Sequence, residues 1–147
     1  MTDAPPPAAP PPPPPPPVPV PLGPGEYTPT ADERTTAMWA HLGAAIANWV
    51  LGGNGWLVAL IIWLVKKDSK FVSFHAAQEL FLQIGVFILV VTCIVTGIFC
   101  LIPCFFIPVI LLGHVIYAIV VAMKANAGEW AEYVVVGSMA KNMILKP

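Results

Sequence analysis

Between Glu79 and Lys124 the chain places 44 residues without an Asp, Glu, Lys or Arg. Apolar side chains fill this stretch on every face and only Pro103 divides it, so the pattern predicts two spans, Leu80 to Ile102 and Cys104 to Met123. Each meets the roughly 20 residues that a ~30 Å hydrocarbon core requires. The helices that carry them are predicted over about 71–102 and 104–125.

Upstream, Thr30 followed by Glu33 fits a capping box and starts a helix over about 32–51, with Met38, Trp39, Leu42, Ile46, Trp49 and Val50 as its apolar positions. Gly52, Gly53, Asn54 and Gly55 then supply the conformations that end it. A second apolar helix, about 55–66, stops at Lys66 and Lys67. Its Trp56 to Val65 core reaches only ~15 Å, too short to cross alone. Two arrangements fit this region: one crossing broken near its middle, or a hairpin of two short helices that dips in and returns.

Past Lys124, Asn126 and Gly128 signal a helix stop, and Trp130, Tyr133 and Val134 suggest a segment lying at the membrane interface. Residues 137–147 are expected to be a cytoplasmic tail. Residues 1–31 form a separate region, because 15 of the 18 prolines fall within the first 29 residues. That composition predicts a disordered, polyproline II-like spacer with no basic anchor for a proline-binding groove. The start, Met1, Thr2 and Asp3 running into proline, does not read as a cleaved secretory signal.

Charged residues make up 10% of the chain, against about 25% in soluble domains, and the mean hydropathy is +0.77. The fold class expected is therefore all-α: a small multi-pass transmembrane bundle over 32–136. Lys66, Lys67 and Lys70, and then Lys124, Lys141 and Lys146, flank an uncharged turn at Pro103. The positive-inside rule places the 66–70 loop and the C-terminus in the cytoplasm, in a cell (inner) membrane. Charge leaves the side of the N-terminus open.

Few positions carry chemistry. At 100° per residue, His75, Gln78, Gly85, Thr92, Cys93, Thr96 and Cys100 share a sector about 100° wide, which reads as a helix-packing face. Gln83 points to roughly the opposite side, where its amide could reach toward the headgroups or meet another helix, the first being favoured. His75, Gln78 and Glu79 could build a polar gate at the cytoplasmic entry, but the plainer expectation is an interfacial segment facing water. His114 lies near the bilayer midplane, ten residues before Lys124, with Tyr117 on its face and Thr92 of the neighbouring span as the expected partner. A functional role is the alternative, since ionisable groups inside a membrane are functional candidates by default, but with no midplane carboxylate to exchange protons with, the structural reading is favoured.

Cys93, Cys100 and Cys104 read as packing residues, with a Cys100–Cys104 disulfide as the less favoured alternative. No catalytic residue, cofactor site or metal site is expected, since paired carboxylates, a nucleophile with its base and clustered soft ligands are all missing. Nucleic acid is not an expected partner, because seven cations are spread over separated groups. The expected partners are the lipid bilayer and other membrane helices or a second copy of the chain.

The motifs Asp32-Glu33-Arg34-Thr35, Ala40-His41-Leu42, Leu60-Ile61-Ile62-Trp63 leading to Lys66-Lys67-Asp68, Phe71-Val72 with Phe74-His75-Ala76, Gln83, and Lys124-Ala125-Asn126 with Gly128, Glu129 and Tyr133 form an ordered series. The series resembles a family of small bacterial multi-pass membrane proteins of unknown function. That family is described as similar to the channel-forming Tic subunit of the chloroplast inner-envelope import translocon. The resemblance covers residues 32–136 and implies a bundle of short hydrophobic helices, which favours the hairpin for 38–65. Ser73, Ala77, Phe81, Glu132 and Val134 depart from the family pattern, each changing polarity or charge beside a shared motif. The function expected is that of a non-enzymatic structural or accessory subunit of a membrane, protein-handling complex. The alternative is a small-solute or ion pathway.

Overall fold

A computed structural model describes residues 27–99 and 101–145, where every regular element is helical. The elements are α1 (Ala31–Val50), α2 (Trp56–Val65), α3 (Lys70–Gly97), a 3-10 turn (Ile102–Phe106), α4 (Ile107–Asn126) and α5 (Gly137–Ile144). The Pro-rich stretch through residue 26 and Cys100, with its suggested disulfide, lie outside the described residues. Cys93 and Cys104 are free thiols.

The capping box at the start of α1 is formed. The Glu33 amide donates to the Thr30 hydroxyl at 3.3 Å and the Thr30 amide donates to the Glu33 carboxylate at 2.8 Å. Tyr27 adds its hydroxyl as a further donor to that carboxylate. Burial first, and then the Glu33 hydrogen bond and charge, push the Tyr27 hydroxyl up to about 12. Burial pulls Glu33 the other way, yet hydrogen bonds from Ser69, Tyr27 and Thr30 outweigh it and hold the carboxyl below its usual range.

At the far end of α1, Gly52 and Gly53 take φ of 58° and 96°, which L side chains rarely adopt. The turn closes on itself: the Gly53 amide donates to the Asn48 carbonyl at 2.7 Å, and the Asn54 side chain to the Leu51 carbonyl at 2.8 Å. α2 then folds back along α1. A Cβ on Gly55 would stand 2.1 Å from the Ala44 carbonyl oxygen, so only glycine lets the backbones meet there. At the open end Lys66 Nζ lies 3.0 Å from Asp32 Oδ2. The region is therefore a hairpin rather than one broken crossing.

α3, 28 residues or ~42 Å long, is the axis of the molecule. Every residue from Phe71 to Leu80 is buried. Phe71 packs on Ala37 and Ala125, Leu80 on Ala44 and Ala59, and Phe74 and Ala77 on Ala140 of α5. Trp130 and Trp63 close the gaps between these groups. Beyond Gln83 the helix emerges, and Phe87, Ile88, Ile94, Ile98 and Phe99 are all exposed. Such contiguous apolar surface is not sustained in water. The most apolar window of α3 has a mean hydropathy of 2.5 and is only 17% buried by protein, as is that of the second span, Ile102–Asn126. Both are long and apolar enough to cross a membrane, and their outer faces fit lipid better than a soluble core.

The structure corrects three expectations. The first span ends at Gly97 rather than near residue 102, since a Cβ on Gly97 would stand 2.2 Å from Cys104 Sγ where the 3-10 turn folds over it. The second helix begins at Ile107, with Pro108 in its first turn where a missing amide hydrogen is harmless. Part of the expected C-terminal tail is α5, which buries Ala140 against α3 and keeps Met139, Lys141 and Met143 exposed.

Candidate functional site

Burying ten consecutive residues of α3 forces its polar side chains to find partners inside the protein, because an unpaired buried polar group costs about 1–3 kcal/mol. Glu79, fully buried, is where they converge. Its Oε2 accepts from the Tyr133 hydroxyl at 2.6 Å and lies 2.8 Å from His41 Nδ1. Its Oε1 accepts from Gln83 Nε2 at 3.0 Å and lies 3.3 Å from His114 Nε2. One carboxylate thus ties α1, α3, α4 and the 127–136 connection together.

The backbone fixes the direction of the remaining bonds. Gln78 Oε1 accepts from the Tyr133 amide at 3.1 Å and its Nε2 donates to the Ala131 carbonyl at 2.9 Å, so this amide has one orientation. The other Gln78 hydrogen faces His75 Nδ1 at 3.1 Å, which makes that nitrogen an acceptor. His75 Nε2 then carries the hydrogen and donates to the Glu129 carbonyl at 3.1 Å. His41 Nε2, 3.0 Å from His75 Nδ1, must also be a donor. Both His41 nitrogens therefore face acceptors, and the contact between Nδ1 and Glu79 Oε2 holds a proton. Burial, followed by the charge of Glu79 and the hydrogen bond to it, pushes the Tyr133 hydroxyl far above the usual range, so it remains a donor.

The network revises several sequence-based expectations. His75 and Gln78 are wholly buried instead of facing water, and Gln83 turns inward to Glu79 instead of reaching for headgroups. Thr92 does not meet His114; its hydroxyl donates to the Ile88 carbonyl of its own helix at 2.8 Å. The Thr96 hydroxyl does the same to the Thr92 carbonyl at 2.7 Å. With these hydroxyls satisfied locally, Thr92, Thr96 and Gly85 are exposed; the buried stripe of upper α3 keeps Cys93 from the expected face and otherwise runs through Gln83 and Gly97. That stripe is centred about 90° round the helix from the middle of the expected face. Tyr117 accepts from the Val134 amide at 2.9 Å and stacks edge-on with Tyr133, bracing the network from outside. Tyr133 itself is 1% exposed, not an interfacial ring.

His41 and Tyr133 are the site residues that sequence reasoning missed as such, and Glu79 was read as water-facing. A signal existed in the placement of His75, Glu79 and Gln83 four residues apart, one polar stripe beside an uncharged span. Above the network a cleft of about 300 Å³ opens between the Gly52–Gly53 turn and the middle of α3 and α4. Trp49, Phe87, Val90 and Leu111 form its walls, and Asn48, Gln83 and His114 its polar part. Among the described residues no three His, Cys, Asp or Glu side chains converge in a metal-holding arrangement.

Fold and site together define a small all-helical membrane protein whose base closes around one hydrogen-bonded carboxylate. Over residues 32–140 the chain matches the magnetosome magnetite crystal formation protein family, MamF/MmsF, and it belongs to that family. No curated protein and no solved structure matches it. The resemblance to a family of small bacterial membrane proteins holds at that level, and the match carries no likeness to the Tic subunit.

Proposed function

We propose that the chain is a non-enzymatic accessory protein of the membrane in which magnetite crystals form, as its family's description suggests. It would present the lysine-bearing end of its bundle to other proteins. The observation that carries this reading is the saturation of Glu79: its two oxygens meet four polar side chains, and the carboxylate is fully buried. A carboxylate in that condition holds shape, whereas an acid or base in catalysis needs an approach for its substrate. Lys67 and Lys124 are exposed at the same end as the open mouth of the hairpin and suit a cytoplasmic docking face.

The test is to replace the chain in a magnetite-forming bacterium with a Lys67→Glu, Lys124→Glu variant and isolate both forms in mild detergent. Proteins that co-purify with the parent chain should be lost from the variant, and the crystals measured by electron microscopy should change in size or number. Unchanged crystals after removal of the whole chain would overturn the proposal.

A second reading, a small-solute or ion pathway, draws on the Asn48, Gln83 and His114 side chains in the membrane-level cleft. It predicts proton or ion flux in proteoliposomes that His114→Ala abolishes. The accessory reading predicts none.

A further inference from the structure

His114 is 6% exposed, and its two ring nitrogens stand in different situations. Nε2 faces Glu79 Oε1, an acceptor that also receives the Gln83 amide, so Nε2 carries the hydrogen. Nδ1 is buried and has no partner. In the neutral ring that nitrogen is an acceptor, and what complements it is a hydroxyl or N–H donor. The ring lines the cleft beneath the hairpin turn, whose walls are largely apolar; Nδ1 has no open surface there, so a ligand reaches it by displacing the side chains that cover it.

Those walls limit what the donor can be attached to. Trp49 and Phe87 at the cleft are 64% and 57% exposed, at the level where the spans face lipid, so entry is sideways from the bilayer. An ammonium or guanidinium donor would pay for desolvation without an anion to meet it, because the nearest carboxylate, Glu79, is already saturated. An uncharged hydroxyl on an apolar body meets no such penalty. Between two aromatic side chains a flat ring is the body that fits. The irregular Gly52–Gly53 backbone also suits this position, since non-helical chain at membrane depth is tolerated where it lines a cavity.

We propose that the cleft binds an uncharged aromatic hydroxyl on a membrane-soluble body, with the hydroxyl donating to His114 Nδ1. At about 300 Å³ the space is at the small end of ligand pockets, enough for one substituted ring. Asn48, at the rim by the turn, offers both a donor and an acceptor to a second substituent on that ring.

The probe is heptyl 4-hydroxybenzoate, and its control is the 4-methoxy analogue, which keeps the shape and loses the donor. Each is titrated into the full chain, ¹⁵N-labelled at histidine, in lipid nanodiscs. The phenol should bind saturably, about five-fold more tightly than the ether, as expected for one net hydrogen bond. It should also move the Nδ1 resonance of His114 and leave those of His41 and His75 in place. Val90→Trp, and independently Leu111→Trp from the facing helix, fill the cleft without replacing Glu79 or any of its partners, and each should abolish saturable binding. Equal affinity for phenol and ether, partition without saturation, an unmoved Nδ1 resonance or undiminished binding in a filled variant that remains folded would each overturn the proposal. The second and last of these would mean that the cleft takes only water or lipid chains.

Discussion

Replacing Glu79 by leucine removes the acceptor and keeps the volume, so it isolates what the carboxylate does. The change strands four side-chain polar groups: the Tyr133 hydroxyl, His41 Nδ1, Gln83 Nε2 and His114 Nε2. Single interhelical hydrogen bonds in membranes average only ~0.6 kcal/mol, because the freed groups find other partners. Here the environment is closed: α3 is buried on all sides at this level, and only the Tyr133 hydroxyl has a ready alternative, His41 Nδ1 at 3.0 Å. That contact pairs the hydroxyl and His41 Nδ1 with each other, so Gln83 Nε2 and His114 Nε2 are left unpaired at about 1–3 kcal/mol each, a loss of about 4 kcal/mol against a total stability of ~5–15 kcal/mol. Glu79→Gln is the milder partner. Its amide keeps one acceptor, the Tyr133 hydroxyl can turn to receive a hydrogen, and the loss of charge-assisted bonds should cost about 2 kcal/mol. Reversible unfolding in mixed micelles, followed by tryptophan fluorescence, measures both variants. The reasoning is refuted if the leucine variant lies within about 1 kcal/mol of the parent, or is the more stable of the two, as happens where apolar packing outdoes a buried ionic group.

Two further outcomes can be measured. Gly55→Ala should destabilise the hairpin by several kcal/mol, because its Cβ would meet backbone at 2.1 Å, while Gly85→Ala, with nothing within 4 Å, should stabilise α3 by about 0.5–1 kcal/mol in the same unfolding assay. The Tyr27–Glu33–Thr30 latch should be lost at both pH extremes. Glu33, lowered from 4.5, contributes stability that is present above that value and disappears as pH falls through its folded value. Tyr27, raised from 10.0 to about 12, contributes fully below pH 10.0 and loses its part as pH rises through about 12. Hydrogen exchange at the first turn of α1 should accelerate in both ranges, and Tyr27→Phe should remove the alkaline change and reduce the acid one, since Ser69 and Thr30 still hold Glu33.

The helices were legible from sequence where the signal is local. The Thr30–Glu33 box and the glycine break each act within one or two turns, and the structure contains both of them. What sequence left hidden depends on contacts between distant segments. His41 meets Glu79 across 38 positions and Tyr133 across 92, and no periodicity within one helix reports such a pairing. The packing face of α3 was misplaced in its upper half for a related reason: His75, Gln78 and Cys93 are buried as that face requires, but the Thr92 and Thr96 hydroxyls are satisfied by their own helix and leave their share of the interface to Gln83 and Gly97. α5 was obscured because its eight residues are stabilised by docking on Phe74 and Ala77 rather than by their own propensity.

The enclosure of Phe71 to Leu80 also separates two events in the life of the chain. The lipid-compatible part of α3 can enter the bilayer as soon as it is made, but its lower ten residues have no finished surroundings at that moment. The Glu79 network needs His114 from the next span and, last of all, Tyr133, which is synthesised 54 residues later. Insertion and closure are thus successive steps, and the bundle stays unlocked until translation has passed both crossings. A chain cut short before residue 133 would keep both spans and leave the polar base open.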